Sequence, residues 1–564
     1  MDPDSMNPEN RIPENIVPEN IARTGIEKLA GKVVEILSVI LFAVITVSGA
    51  VCSAWLTNAY TRDFVFQRDS VLLNLLIFAV LFTVWKVTAD FVAKRGEKGR
   101  RTLLVIVLVY AFVVSLLWAA VSKCFPTADQ ASVYYGAKHF AADNFEDIAY
   151  TASYFSCYPH QMGLAFFYEL LLRMFHTESF HLLQGINACC NVLTVWALYD
   201  ITKRSFRNRK AGIYLLLLAA LCLPLLWYTP FVYGELPSFA FSFLGVQKLL
   251  AARDHAADGK EKQAVLSGIF SLAALFAATL VRKNTLILIA AVGITGVVAL
   301  LSGCGVDREQ KTKRRKRRLQ LGVYLAVLLL LCSQAGNLAI RMYEARSGRI
   351  LNDGVPGKTY LVMGLMENEY APGWYTGYNF ETYAYAAEYD QKKAIAIAQA
   401  DLEKRWQELL KEPAYTARFF GKKCLAEWLN TGYACYDYTA GKYYDRLPVV
   451  ESLYSGILFY VTRFFMDKYQ FAVYLTALVG MAVCLGKGRQ QFQKGGIFWY
   501  IFAATILGGA LFYLAWEGNG RYILPYFLMT LPYAAGGLAW IDRCFQNMYN
   551  KQHLKRKEKM GGSQ

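Results

Sequence analysis

Runs of about 20 apolar residues recur along this chain, and no other feature narrows its possible folds so far. A helix needs roughly 20 such residues to cross about 30 Å of hydrocarbon, where a spanning segment must bond its own backbone. Residues 33–56, 71–92 and 102–121 meet that length without an internal charge cluster. Composition agrees, because 55% of the 564 residues are hydrophobic and only 18% are charged, less charge than a soluble chain of this size carries. The first run starts too far into the chain, and is followed by too many others, to read as a cleaved signal peptide. The expected fold class is an all-α polytopic membrane protein.

The net charge of +17 raises nucleic acid as a partner, but its placement argues against one. Basic residues fall in blocks between apolar runs: Lys94, Arg95, Lys98, Arg100 and Arg101, then Lys203, Arg204, Arg207, Arg209 and Lys210, then residues 311–318, 487–494 and 551–559. Short loops rich in Lys and Arg stay in the cytoplasm, so each block marks a cytoplasmic turn.

With those blocks inside, parity dictates the path. Residues 33–56, 71–92 and 102–121 cross, and an outer loop occupies 123–181. Two apolar stretches, 160–175 and 182–201, precede the next basic block, yet only one can span. The first is shorter and carries Glu169, Arg173 and His176, so it is expected to lie on the membrane surface after Tyr158-Pro159, a natural helix start. Crossings follow at 211–228, 239–252, 264–281, 285–301 and 319–336. A Tyr-, Trp- and Gly-rich segment, 337–450, is too long for a linker and reads as an exoplasmic loop domain. Residues 452–465 are expected as a second surface helix before crossings at 471–485, 497–516 and 522–541. The total is about 12 spans with both termini cytoplasmic. Around them, residues 33–101 hold two additional N-terminal spans, 102–336 a membrane core, 451–543 the C-terminal spans and 544–564 a basic cytoplasmic tail. Residues 1–32 repeat Pro-Glu-Asn at 8–10, 13–15 and 18–20, a pattern that cannot bury a core and reads as a disordered cytoplasmic tail.

Metal chemistry finds little support. Of the 12 cysteines, Cys189, Cys190, Cys222, Cys304, Cys332 and Cys484 sit in apolar runs as small hydrophobes. Cys424 and Cys435 share the large outer loop, where an oxidising compartment would permit a disulfide. His139, His160, His176 and His181 share the first outer loop without a His-Glu-x-x-His or Cys/His pattern, so no metal ligands are assigned.

Charged and aromatic groups at the outer surface carry the chemistry instead. Asp129 opens an amphipathic helix, 130–142, that includes Tyr134. Its carboxylate reads either as a helix cap or as a general base whose pKa partial desolvation raises. Arg282-Lys283-Asn284 lies at an outer turn against the positive-inside trend, and Trp516-Glu517-Gly518-Asn519-Gly520-Arg521-Tyr522 puts a further arginine on that face. Such cations either snorkel to headgroups or clamp phosphate, which a guanidinium matches in a bidentate fork. Tyr233-Gly234-Glu235 occupies a short outer loop, and Trp374 to Asn379 and the tyrosines between 433 and 444 supply faces that stack on sugar rings or pack a small domain.

An aspartate just beyond a span, a surface helix, a Tyr-Pro element opening a second apolar helix and a long late outer loop together resemble the GT-C-fold glycosyltransferases. The nearest likeness is to the bacterial relatives of the protein O-mannosyltransferases and of the lipid A aminoarabinose transferases. It covers roughly residues 102–336 and, more loosely, the C-terminal spans. The resemblance implies that Asp129 is the catalytic aspartate of the first outer loop and that 102–336 is a GT-C-like catalytic core. Tyr158-Pro159-His160-Gln161 is similar to the family's Tyr-Pro-Pro or His-Pro-Pro element with one proline missing, and Tyr233-Gly234-Glu235 to a Tyr-x-Glu element.

The expected activity is transfer of a sugar from a polyprenyl-phosphate donor to a hydroxyl on a glycan, lipid or protein acceptor, with inversion. Asp129 is the catalytic residue, Arg282, Lys283 and Arg521 bind the donor phosphate, and Tyr134, Tyr158, His160, Glu235, Trp374 and Asn379 bind sugar or acceptor. The resemblance allows a divalent metal as cofactor, for which the sequence shows no ligand set. No Asn-x-Ser/Thr acceptor occurs in the chain, which favours a bacterial plasma membrane over an endoplasmic reticulum. Rival readings are a polysaccharide polymerase or ligase using a diphosphate-linked glycan and, with no internal repeat to support it, a lipid or solute transporter.

Overall fold

The computed structural model describes residues 25–61, 63–302, 308–442, 444–486 and 496–561. Residues 1–24 with the Pro-Glu-Asn repeats, Cys304 and the basic block at 487–494 lie outside the described residues. Among the described residues, 10 helices are long and apolar enough to cross a membrane: Gly25–Val51, Val71–Lys94, Gly96–Ser122, Phe180–Ser205, Glu261–Val281, Lys283–Leu301, Arg315–Ser347, Ile457–Leu485, Ile497–Ala515 and Gly520–Gln552. The chain is a largely helical, polytopic membrane protein. Outer helices keep an apolar face open, as at Leu72, Val80 and Val87, where lipid replaces a packing partner.

Ten of the 12 expected crossings coincide with these helices, and the other two are helical but differ in kind. Lys210–Leu221 has 12 residues and breaks at Cys222 before the turn Leu223–Trp227, with Pro224 at its start. Glu235–Ala257 has 23 residues but carries Glu235, Ser238, Ser242 and Gln247 on its buried surface. Both are walled by other helices, so they need no apolar exterior.

Three expectations need correction. Residues 25–32 are not tail but the first two turns of Gly25–Val51, and the end of the 33–56 run is a strand. Cys52–Leu56 pairs antiparallel with Phe64–Arg68 in a two-stranded hairpin, Ala54 opposite Phe66. Their β-branched and aromatic residues suit that pleated surface. The 452–465 surface helix does not form. Pro448–Ser455 ends at Gly456, and Ile457–Leu485 then runs unbroken for 29 residues. Two charges inside this helix, Asp467 and Lys468, are buried and paired, with Lys468 Nζ 2.8 Å from Asp467 and 2.5 Å from Asp69 beyond the hairpin. The 160–175 segment is a helix, Met162–Met174, of 13 residues, about 20 Å long and too short to cross.

The 337–450 segment begins later than expected, because the preceding helix, Arg308–Ser347, continues to Ser347. Beyond it, Gly357–Gly364, Gln391–Lys411 and Pro413–Trp428 build a folded cap with a small core of Cys157, Tyr383, Ala387 and Ala394. Cys424 and Cys435 are free thiols. The cap is fastened by Lys423, which donates to the carbonyls of Gly364 (2.6 Å), Leu514 (3.2 Å) and Trp516 (2.7 Å). Those bonds close the open carbonyl end of the Ile497–Ala515 span. At the far end of the bundle Asp542 pairs with Lys86 (3.2 Å) and Lys210 (2.6 Å), joining three elements.

Candidate functional site

The turns opposite the basic blocks converge on one cavity of about 730 Å³ beneath the cap. Asp129, Tyr158, His160, Arg282, Lys283, Trp374, Asn379 and Arg521 all line it. Residues from five separate loops, spread over nearly 400 positions, therefore meet at one place.

Asp129 reaches it through an unusual start to its helix. Thr127 is the N-cap of Ala128–Ala141, and Ala128 holds φ +48, a left-handed conformation that costs an alanine about 1–2 kcal/mol. Asp129 does not act as the cap. Its Oδ2 accepts from the Tyr233 hydroxyl at 3.2 Å, and the other oxygen is left to the cavity. The carboxylate is thus open to a ligand yet enclosed by protein walls. Burial raises its pKa above the ordinary carboxylate range, against the opposing pull of Arg521, the Tyr233 hydrogen bond and Arg282. The next residue, Gln130, anchors this turn by accepting from the Val232 amide at 2.5 Å.

Tyr233 is the hub. Its hydroxyl accepts from Gln161 Nε2 at 2.8 Å and shares a 3.1 Å bond with Tyr154. Its ring lies under the Arg282 and Arg521 guanidinium groups at 5.1 and 5.3 Å. Gly234 makes this possible. At φ +88 a side chain would be strained, and a Cβ there would come within 2.9 Å of Leu164 and 3.3 Å of the Arg282 side chain.

Arg282 Nη2 lies 2.9 Å from Glu235 Oε1 and Arg521 Nε lies 3.7 Å from the same oxygen. Two guanidinium groups thus share one carboxylate, leaving positive charge in excess at this end of the cavity. Arg521 also stands at the start of the Gly520–Gly561 helix, whose dipole adds to that field. Its backbone amide is capped by Asn519 Oδ1 at 2.9 Å. His160 is the neutral member of the group. Burial, then Lys283 and Arg282, push its pKa down to about 4.

Two sequence expectations land elsewhere. Tyr134 does not line the cavity. Its hydroxyl donates to the Glu178 carbonyl at 2.5 Å and its ring packs edge-on against Phe180. Five residues past Asp129, it sits roughly 140° round the helix. Glu235 lies behind the arginines, in a pocket of about 50 Å³ that shares Arg282, Tyr513, Arg521 and Tyr522 with the main cavity, so it faces cations rather than the large space. Trp374 and Asn379 line the cap side of that space.

Glu517 was not singled out from sequence, although its loop was. It lines the cavity, is almost wholly buried and accepts from the Tyr522 hydroxyl at 3.3 Å. Burial, reduced by Arg521 and Tyr522 and reinforced by Asp129, pushes it up to about 7. Among the described residues no three His, Cys, Asp or Glu side chains gather as a metal site requires, so the donor set does not fit the divalent metal that the resemblance allows. Comparison with protein-family models and with curated proteins gives no match.

Proposed function

We propose that this chain is a membrane glycosyltransferase, GT-C-like in fold, which moves a sugar from a polyprenyl-phosphate carrier to an acceptor hydroxyl with inversion. The observation that carries this reading is the meeting, in one cavity, of an open carboxylate and two guanidinium groups that share a single counter-charge. A base and an anion clamp facing the same space are what displacement of a lipid phosphate needs.

Asp129 accepts the proton of the acceptor hydroxyl as its oxygen bonds to the anomeric carbon. The bond from that carbon to the phosphate oxygen breaks, its electron pair stays on the phosphate, and Arg282 and Arg521, with Lys283 also lining the cavity, stabilise the charge that develops. Tyr233 holds the base and stacks beneath both guanidinium groups, so it keeps the two halves of the site in register. Tyr158, His160, Trp374 and Asn379 supply the walls for sugar and acceptor, whether glycan, lipid or protein. No step runs through a metal.

The turns that line the cavity alternate with those bearing the Lys/Arg blocks. By the positive-inside rule the site then faces the exoplasmic side, in a bacterial plasma membrane on this reading, and membrane lipids deliver the donor. The test is transfer from polyprenyl-phosphate sugars by purified protein in detergent. Asp129→Asn should lower turnover by about 100-fold or more while donor binding persists. Equal activity in parent and variant would remove Asp129 from the reaction. Transfer only from diphosphate-linked glycans would favour a polymerase or ligase instead.

A further inference from the structure

The mechanism above leaves the cavity-lining acid Glu517 without a task. Glu517 sits in the loop between the Ile497–Ala515 and Gly520–Gln552 spans, on a firm support. The Gly518 amide donates to the Gly373 carbonyl at 2.8 Å, a Cβ on Gly518 would come within 2.1 Å of Glu427, and one on Gly364 within 2.3 Å of Trp516. The loop is clamped between the cap and the last span, so its side chains are held in place.

The Glu517 carboxyl has one protein partner among the described residues, the Tyr522 hydroxyl, and this same hydroxyl accepts from Arg521 Nη2 at 3.2 Å. One hydroxyl thus ties Glu517 to the phosphate clamp. Arg521 forms its ion pair with Glu235 and Lys423 spends its donors on carbonyls, so each acts on the acid only through space and neither bonds to it. Its second oxygen is left to the cavity. Beside it Trp516 stacks on Tyr360, nearly parallel at 4° and 5.7 Å between centroids, and both rings line the same space. A buried acid with a single hydrogen bond from the protein, set against aromatic faces and one hydroxyl away from a phosphate clamp, suits a polyhydroxylated ring carried on that phosphate.

We infer that Glu517 forms the subsite for the transferred sugar, its free carboxyl oxygen hydrogen-bonding a hydroxyl of the donor sugar beside the phosphate held by Arg521. The assignment rests on reading Arg282 and Arg521 as that phosphate clamp. It makes Glu517 a residue that selects the donor, distinct from Asp129, which serves the acceptor. With a pKa near neutrality the acid can accept from or donate to a hydroxyl.

Binding tests the inference without turnover. The probes are bare polyprenyl phosphate and its mannosyl, glucosyl, galactosyl and arabinosyl esters, titrated onto the full chain in detergent. Glu517→Ala should bind the bare phosphate like the parent but bind the parent's tightest sugar ester about tenfold or more weakly, with Glu517→Gln recovering part of the loss. Arg521→Ala should weaken both kinds of probe. The inference is overturned if Glu517→Ala changes neither affinity, if it lowers both alike, or if the parent binds no ester more tightly than the bare phosphate. A parent that binds none of the probes would instead overturn the phosphate clamp, and this subsite with it.

Discussion

Tyr233 joins a base to two cations through one side chain, and removing only its hydroxyl separates those roles. In Tyr233→Phe the ring still stacks under Arg282 and Arg521, but Asp129 loses a hydrogen bond that favours its charged form. The Asp129 pKa, already raised by burial, should rise further. A base works deprotonated, so activity falls as pH drops through that pKa. The acid limb of the pH–rate profile should therefore move to higher pH, with kcat down about tenfold at neutral pH. An unmoved limb would show that the bond does not matter. Arg282 and Arg521 are legible as candidates in the sequence because each stands on the face where the positive-inside trend disfavours a cation, and Asp129 because it opens a helix just beyond a span. Tyr134 turns away from the cavity, and adjacency in sequence says little about which side of a helix faces it. Glu517 is not legible in the sequence because a loop glutamate looks ordinary until its burial is known. Ala128 offers a stability test at the same spot: Ala128→Gly removes the left-handed strain and should raise thermal stability by up to about 1 kcal/mol.

At the scale of elements, buried ion pairs decide which apolar runs stay continuous. The helix Ile457–Leu485 keeps its length because Lys468 finds Asp69 and Asp467. From sequence, crossing parity places a separate surface helix at 452–465, since the hairpin that brings Asp69 to this helix is not visible in the sequence. Lys468→Met would leave two carboxylates facing each other and should cost about 3–5 kcal/mol, read as a lower unfolding temperature in detergent. Asp69→Asn added to that variant should recover part of the loss. The Glu427 acid beside Lys423 gives a pH signature. Burial pushes it up to about 8 from an ordinary value of 4.5. The folded state then holds a proton that the unfolded state has released, so stability from this group is full below about pH 4.5 and is lost as pH rises to about 8. Glu427→Gln keeps the shape without the proton. The variant should match the parent near pH 5 and exceed it in unfolding temperature near pH 9, and parallel curves would refute the assignment.

For the whole molecule, the alternation of basic turns with cavity turns predicts two faces that labelling can separate. Tyr150 is exposed near the cavity end and the Arg101 side chain near the other. Single cysteines placed at these positions in a background without other thiols should react with an impermeant maleimide from opposite sides of a sealed vesicle. Reaction from one side alone would break the topology. The path of the chain was readable because apolar length and basic blocks are local properties that a membrane converts directly into crossings. The cap was not, because its fold depends on contacts between distant segments.

That dependence has a consequence in time. Lys423 holds carbonyls 91 and 93 residues further along the chain. At about 5–20 residues per second of synthesis, the cap leaves the ribosome some 5–20 seconds before the strand of backbone that completes it exists. Throughout that interval the cap waits half-built on its side of the membrane, with its lysine holding only the Gly364 carbonyl and Glu427 lacking the loop that covers it. A stall or truncation before the last two crossings would strand it there, open to proteases that the finished protein resists.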